Sequence, residues 1–253
     1  MKYVVIITLL FGAFVSYSQP NKYKKGQSQE QMNLQKDADW KLAIELIGQL
    51  KDGAILVALD FKKKEIAYFE KYENIKEATK IREEQQEINL QIMHSFDSLF
   101  TYCEVYFFDS DDLRHFVNKQ IDSIKFYNKQ CQIDNSIALS QDFFLVGNFG
   151  HVEQISSSDS IYNSSKNSLS AFVLRDENLV QLRNPFPFYS QFHPLGSVKK
   201  RYNMPVRKLQ NRLESYEQDG ITRYNRRETR RVKRRAKLKA KRNKKESSQA
   251  KNQ

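Results

Sequence analysis

Apolar positions along the chain follow two different periods. Ala54-Ile55-Leu56-Val57-Ala58-Leu59 and Glu104-Val105-Tyr106-Phe107-Phe108-Asp109 are runs of aliphatic, β-branched and aromatic residues, too short for helices. The second is closed by the turn-forming Ser110-Asp111-Asp112. Such runs, apolar without alternation, predict strands covered on both faces. Residues 62–100 between them read as helix, with a break near Tyr72–Asn74. In the second piece Ile81, Ile88, Ile92, Phe96 and Leu99 form a single stripe that marks a packing face. Strand, helix and strand in that order imply a βαβ unit and a parallel sheet.

Around this unit the pattern predicts a helix capped by Asp37, with Trp40, Ala43, Ile44, Ile47 and Leu50 facing inward and Gly53 ending it. After the second strand, Asp111 or Asp112 starts a short helix to Asn118, and Ile124–Tyr127 is a brief strand. Asp142–Val146 is a third buried strand, ending at Gly147 and Gly150. The Ser/Asn-rich stretch from Ser156 to Ser170 is a loop insertion expected to be disordered. Leu169–Arg175 and Leu179–Leu182 flank Asp176-Glu177-Asn178 as a hairpin. Pro205 suits the first turn of a last helix, whose apolar edge is Val206, Leu209, Leu213 and Tyr216, and Gly220 stops it. No internal repeat is present. The fold class read from this is α/β: one domain over residues 37–220, a mostly parallel central sheet, a late antiparallel hairpin and a C-terminal helix.

Charge changes the picture at the ends. The formal charge of +12 is not spread evenly: from Lys199 onward there are 21 Lys/Arg against 5 Asp/Glu, a balance of +16, and the rest is mildly acidic at −4. Residues 221–253 form a basic tail, disordered or helical, in which Arg226, Arg227, Arg230, Arg231, Lys233, Arg234, Arg235 and Lys237 are the candidate polyanion-binding residues. Val232, Ala236, Leu238 and Ala240 make no wide apolar stripe, so the tail does not read as an amphipathic membrane helix. Its favourable interaction is with a polyanion, through counterion release. Aromatic residues that could stack on bases are nearly absent past Tyr224, which argues against reading of a base sequence. At the other end, Met1-Lys2, the apolar run Tyr3–Val15 and Ser16-Tyr17-Ser18 fit a signal peptide over residues 1–18, cleaved after Ser18. Residues 19–36 then form a polar linker. Lys22, Lys24 and Lys25 leave a second reading open, an uncleaved anchor with the body on the cytoplasmic side.

Candidate chemistry is sparse. Asp109 and Asp111 stand just past the end of a buried strand. In Phe107-Phe108-Asp109-Ser110-Asp111 this resembles the haloacid-dehalogenase type of phosphotransferase, a resemblance that implies a nucleophilic Asp and an acid–base Asp around magnesium. The same carboxylates also suit a plain turn and helix cap. Cys103 and Cys131 can pair as a disulfide in an oxidising compartment or stay as two free thiols. His94, His115, His151 and His193 lie in four elements with no ligand spacing, and no nucleophile elbow, Walker loop or dinucleotide glycine pattern occurs. No metal site and no cofactor are therefore assigned. Asn184–Pro194 concentrates aromatics and three of the five prolines. Its Pro185–Pro194 portion either folds over a sheet edge or offers an apolar lip to a protein or glycan partner.

The order of elements, with Ala171–Asn178 as its hairpin, resembles a thioredoxin-like arrangement. Asp60-Phe61-Lys62-Lys63 stands where the redox pair would open the helix, so the resemblance implies a scaffold without dithiol chemistry. More broadly the chain resembles exported bacterial α/β proteins of unassigned function. The functional expectation is an exported, non-enzymatic protein, periplasmic or extracellular, whose cationic tail docks on an anionic surface or polyanion. Two alternatives remain: a metal-dependent phosphohydrolase using Asp109 and Asp111, and a membrane-anchored, cytoplasm-facing nucleic-acid-binding protein.

Overall fold

The computed structural model describes residues 29–155, 161–162, 169–192 and 196–220, and beyond them residues 222, 224–226, 229–230 and 232–233. The predicted signal peptide, most of the linker and most of the Ser/Asn-rich insertion lie outside the described residues.

In chain order the elements are α1 (Gln29–Lys51), β1 (Ala54–Leu59), α2 (Lys63–Lys71), α3 (Ile75–Leu99), β2 (Glu104–Asp109), a 3-10 turn (Ser110–Asp112), α4 (Leu113–Val117), a second 3-10 turn (Ile121–Ser123), β3 (Phe126–Tyr127) and β4 (Phe144–His151). A small pair β5 (Gln154–Ile155) and β6 (Ile161–Tyr162) follows, then β7 (Ser170–Arg175), β8 (Tyr189–Gln191) and α5 (Val198–Ser215), which runs into a π-helical turn, Tyr216–Gly220. The main sheet has six strands in the order β3-β2-β1-β4-β7-β8. Its centre is parallel, with β1 paired to β2 on one side and to β4 on the other. The outer pairs β2–β3, β4–β7 and β7–β8 are antiparallel.

All six residues of β1 are buried, as a strand covered on both faces requires. Ile55, Val57 and Leu59 point into the larger core with α1, α3 and α5, through Ile47, Leu50, Ile92, Phe96, Val206 and Leu209. Ala54, Leu56 and Ala58 point the other way, onto Phe108, Phe116, Phe126 and Phe144. The predicted break between α2 and α3 is present: Asn74 caps α3 by accepting the Glu77 N–H.

Five local expectations are corrected. Asp37 is not a cap but lies buried inside α1, which starts at Gln29. The preceding turns are polar good helix formers, invisible to a search for an apolar stripe. β4 does not end at Gly147 and Gly150 but runs through both to His151. Gly147 is there because the Phe172 ring lies across it: a Cβ would stand 2.3 Å from Phe172 Cζ. The hairpin turn at Asp176 forms, with Oδ1 accepting the Asn178 and Val180 N–H groups at 3.0 and 2.8 Å. Leu179–Leu182, however, contributes only the single bridge Arg175–Gln181, and the strand beside β7 is β8. Pro205 is mid-helix rather than N-terminal, because Ser197 caps α5 eight residues earlier. The helix holds around the proline through polar clasps to α3 and the turn after it: Ser95 Oγ donates to Asn203 Oδ1 at 2.7 Å, and the Thr101 N–H donates to Gln210 Oε1 at 3.0 Å. Nor does Gly220 stop the helix, since every described residue from 222 to 233 is helical.

Phe172 is fully buried against Phe96 and Phe149 and has no room to retreat from a new methyl group. Gly147→Ala should therefore cost about 1–3 kcal/mol of stability. Urea unfolding checks this, and an unchanged midpoint contradicts the packing described.

Candidate functional site

The three parallel strands end together. Register places Leu59 opposite Asp109 and Ala58 opposite Asn148, so the segments following β1, β2 and β4 converge on one edge. The chain leaves β1 through α2 and α3 to reach β2 on one side, then crosses to β4 on β1's other side. That reversal is the switch point of an open α/β sheet, where a crevice opens outside the carboxyl ends. A cleft of about 680 Å³ lies there, between α3 and the end of β4, with Lys62–Glu65 and Ser110–Asp111 at its rim.

Asp109 is 4 % exposed. Its Oδ1 accepts the Asp111 N–H at 2.9 Å, capping the 3-10 turn that follows β2. Its Oδ2 has no other partner among the described residues than the ammonium of Lys63, which also stands 3.7 Å from Asp111 Oδ2. The bond to Asp109 raises the Lys63 pKa above the ordinary lysine value, against the desolvation that lowers it. Tyr127, stacked on Phe61 at 4.8 Å, has its hydroxyl raised chiefly by burial and next by the Asp109 charge. Lys62 takes a left-handed conformation (φ 52°); its N–H donates to Asp60 Oδ1 at 2.8 Å and its ammonium stands 3.2 Å from Asp60 Oδ2. Asn89, fully buried on α3, donates to the Asp60 carbonyl at 2.8 Å and fixes the chain where it leaves β1.

The structure thus brings Asp109 and Asp111 together, and adds a residue that the sequence did not point to. Lys63 is 46 positions from Asp109 in the chain. The one available signal was the parallel pairing itself, which sets whatever follows β1 beside the end of β2. Among the described residues no group of three His, Cys, Asp or Glu is placed to hold a metal ion. No helix among them is long and apolar enough to cross a membrane.

The basic region is partly in view. On α5, Lys199, Lys200, Arg207 and Lys208 are exposed and have no carboxylate partner among the described residues. Arg212 is engaged, donating to the Tyr189 carbonyl with its guanidinium 5.3 Å from the Tyr189 ring. Arg226, Arg230 and Lys233 are helical and exposed, at a spacing that puts them on one helix face. Arg227, Arg231, Arg234, Arg235 and Lys237 lie outside the described residues. In the Pro185–Pro194 segment, Phe186 and Phe188 are core residues, and Tyr189 and Phe192 are half-buried.

Of the two readings open for Cys103 and Cys131, the structure has the free thiols and not the disulfide. Both pack against the larger core. Burial pushes the Cys103 thiol up to about 12 and raises Cys131 as well, so neither is a ready nucleophile. No family model, no curated protein and no solved structure matches the chain.

Alkylation by iodoacetamide at neutral pH should be slow in the native protein, slower at Cys103 than at Cys131, and fast at both in denaturant. Mass-resolved labelling reads this. Immediate labelling of Cys103 in the native state contradicts the burial described.

Proposed function

We propose that the protein is an exported, non-enzymatic docking protein that holds to an anionic surface or polyanion through its basic C-terminal helix and tail. The observation that carries the reading is the row Arg226, Arg230 and Lys233, exposed and at a spacing that puts them on one helix face. Exposed Lys199, Lys200, Arg207 and Lys208 on α5, without a carboxylate partner among the described residues, precede that row in the chain. The remaining basic residues of the tail extend that series in sequence. Cations held at helical spacing match a row of phosphates or sulfates better than scattered ones, and their binding weakens steeply with salt. The export half of the reading is supported by the N-terminal residue pattern alone. N-terminal sequencing of the mature protein tests it: a first residue of Gln19 supports cleavage, whereas an intact Met1 supports the anchored, cytoplasm-facing alternative with nucleic acid as polyanion.

For the docking half, deletion of residues 223–253 should lower the salt concentration that elutes the protein from heparin. Arg226→Glu with Arg230→Glu should do so to a smaller extent. Elution of the truncated protein at the same salt concentration as the full chain overturns the reading.

The second reading, a metal-dependent phosphohydrolase on Asp109 and Asp111, draws on the place of Asp111 at the rim of the carboxyl-end cleft, with Asp109 buried behind it. It conflicts with their partners, since a metal ion would have to displace Lys63 from the buried Oδ2 of Asp109. Asp109→Asn keeps the turn-capping oxygen and removes the carboxylate. Hydrolysis of p-nitrophenyl phosphate in the presence of magnesium should be at background for both proteins. A rate abolished by this substitution would restore the enzyme reading.

A further inference from the structure

The carboxyl-end cleft has a use separate from docking. We infer that it is a binding site for a small molecule with a flat, largely apolar body and one anionic group. Its volume, about 680 Å³, falls in the range of roughly 300–1,000 Å³ usual for small-molecule sites, and its place at the switch point is where open α/β sheets bind ligands.

The inner wall is aromatic. Phe149 at the end of β4, Phe192 after β8 and Tyr202 on α5 all line the cleft and meet one another, with ring centroids 5.0 to 6.4 Å apart. Ile88 and Ile92 of α3 and Ala58 of β1 complete an apolar interior. Phe192 is only half-buried, so a face of this wall is open to a planar ring.

The rim sets the sign of the polar end. Its carboxylates are largely answered from within: Asp60 by the amide and ammonium of Lys62, and Asp111 by Lys63, which also holds the buried Asp109. Lys64 is exposed, lines the same rim and has no carboxylate partner among the described residues. α2 begins there with no side-chain cap, so its first amides add positive potential beside Lys64. Glu65 also lines the rim and works against an anion, which makes its neutralisation a test of sign.

The experiment uses the full chain and 1-anilinonaphthalene-8-sulfonate as probe, read by fluorescence. Adenosine 5′-monophosphate and 2-naphthoate serve as competitors, to separate phosphate from carboxylate as the anionic group, and adenosine is the uncharged control. Circular dichroism verifies the fold of each variant. Saturable one-to-one binding is expected, displaced by at least one of the anionic competitors and poorly by adenosine. Phe192→Ala should weaken it about tenfold, the scale of a lost aromatic contact. Lys64→Glu should weaken it and Glu65→Gln should tighten it. The absence of saturable binding, or equal affinity in wild type and all three variants, overturns the assignment. The reverse result, tighter binding in Lys64→Glu and weaker binding in Glu65→Gln, would keep the cleft as a site but overturn the anionic end.

Discussion

The structure depends on β1 being paired on both edges and covered on both faces. No residue of this strand is more than 6 % exposed, and its two side-chain rows seed two separate cores. A central strand in that state fixes much else. Both neighbours are parallel to it, so each connection must cross a face of the sheet, and the two connections take opposite faces. The first is the long α2–α3 passage; the second is the looser route through α4 and β3. Apolar burial supplies the drive, and the parallel register decides which chain ends meet at the carboxyl edge.

The parts legible in the sequence were those where one period dominates. β1 and β2 are runs with no polar interruption, and α3 carries a single stripe, so their limits could be read closely. Where two demands compete, the local signal misleads. Gly147 and Gly150 look like strand terminators, yet Gly147 is a clearance for the Phe172 ring, a property of a neighbouring strand that no local window contains. Pro205 looks like a helix start, yet Ser197 caps the helix and contacts with α3 hold its middle. β8 was hidden because it lies in an aromatic, proline-rich segment and pairs for only three residues. The polar first turns of α1 offered no periodicity to detect.

The candidate site was legible by half for the same reason. Asp109 and Asp111 stand out because a buried strand ends on them, whereas Lys63 owes its role to pairing between segments far apart in the chain. The cluster also shows how both oxygens of a carboxylate 4 % exposed find partners: one takes a backbone N–H, and the other takes a lysine ammonium. The lysine end is well exposed, so the stem reaches in from the rim and solvent screens the pair. Such an arrangement ties the start of α2 to the end of β2, which is a structural task as much as a chemical one.

The cleft and the basic tail beyond Tyr216 lie at opposite ends of one helix, with Lys199 and Lys200 at its cleft end. α5 starts beside the cleft, where Tyr202 forms part of the aromatic wall. It finishes near the amino end of β1, where Glu217 meets Lys51 just before that strand. Eighteen helical residues span roughly 27 Å, about the depth of the sheet along its strands. A protein held to an anionic surface by residues beyond Tyr216 would present its amino edge to that surface and its carboxyl edge away from it. The cleft would then stay open to solvent while the chain is docked. Neither Asp109 nor Lys63 would feel the charge of the surface directly, because the sheet and several Debye lengths of physiological electrolyte, each about 8 Å, stand between. Docking and ligand capture are on this geometry separable: salt should release the first and leave the aromatic wall of the second largely indifferent.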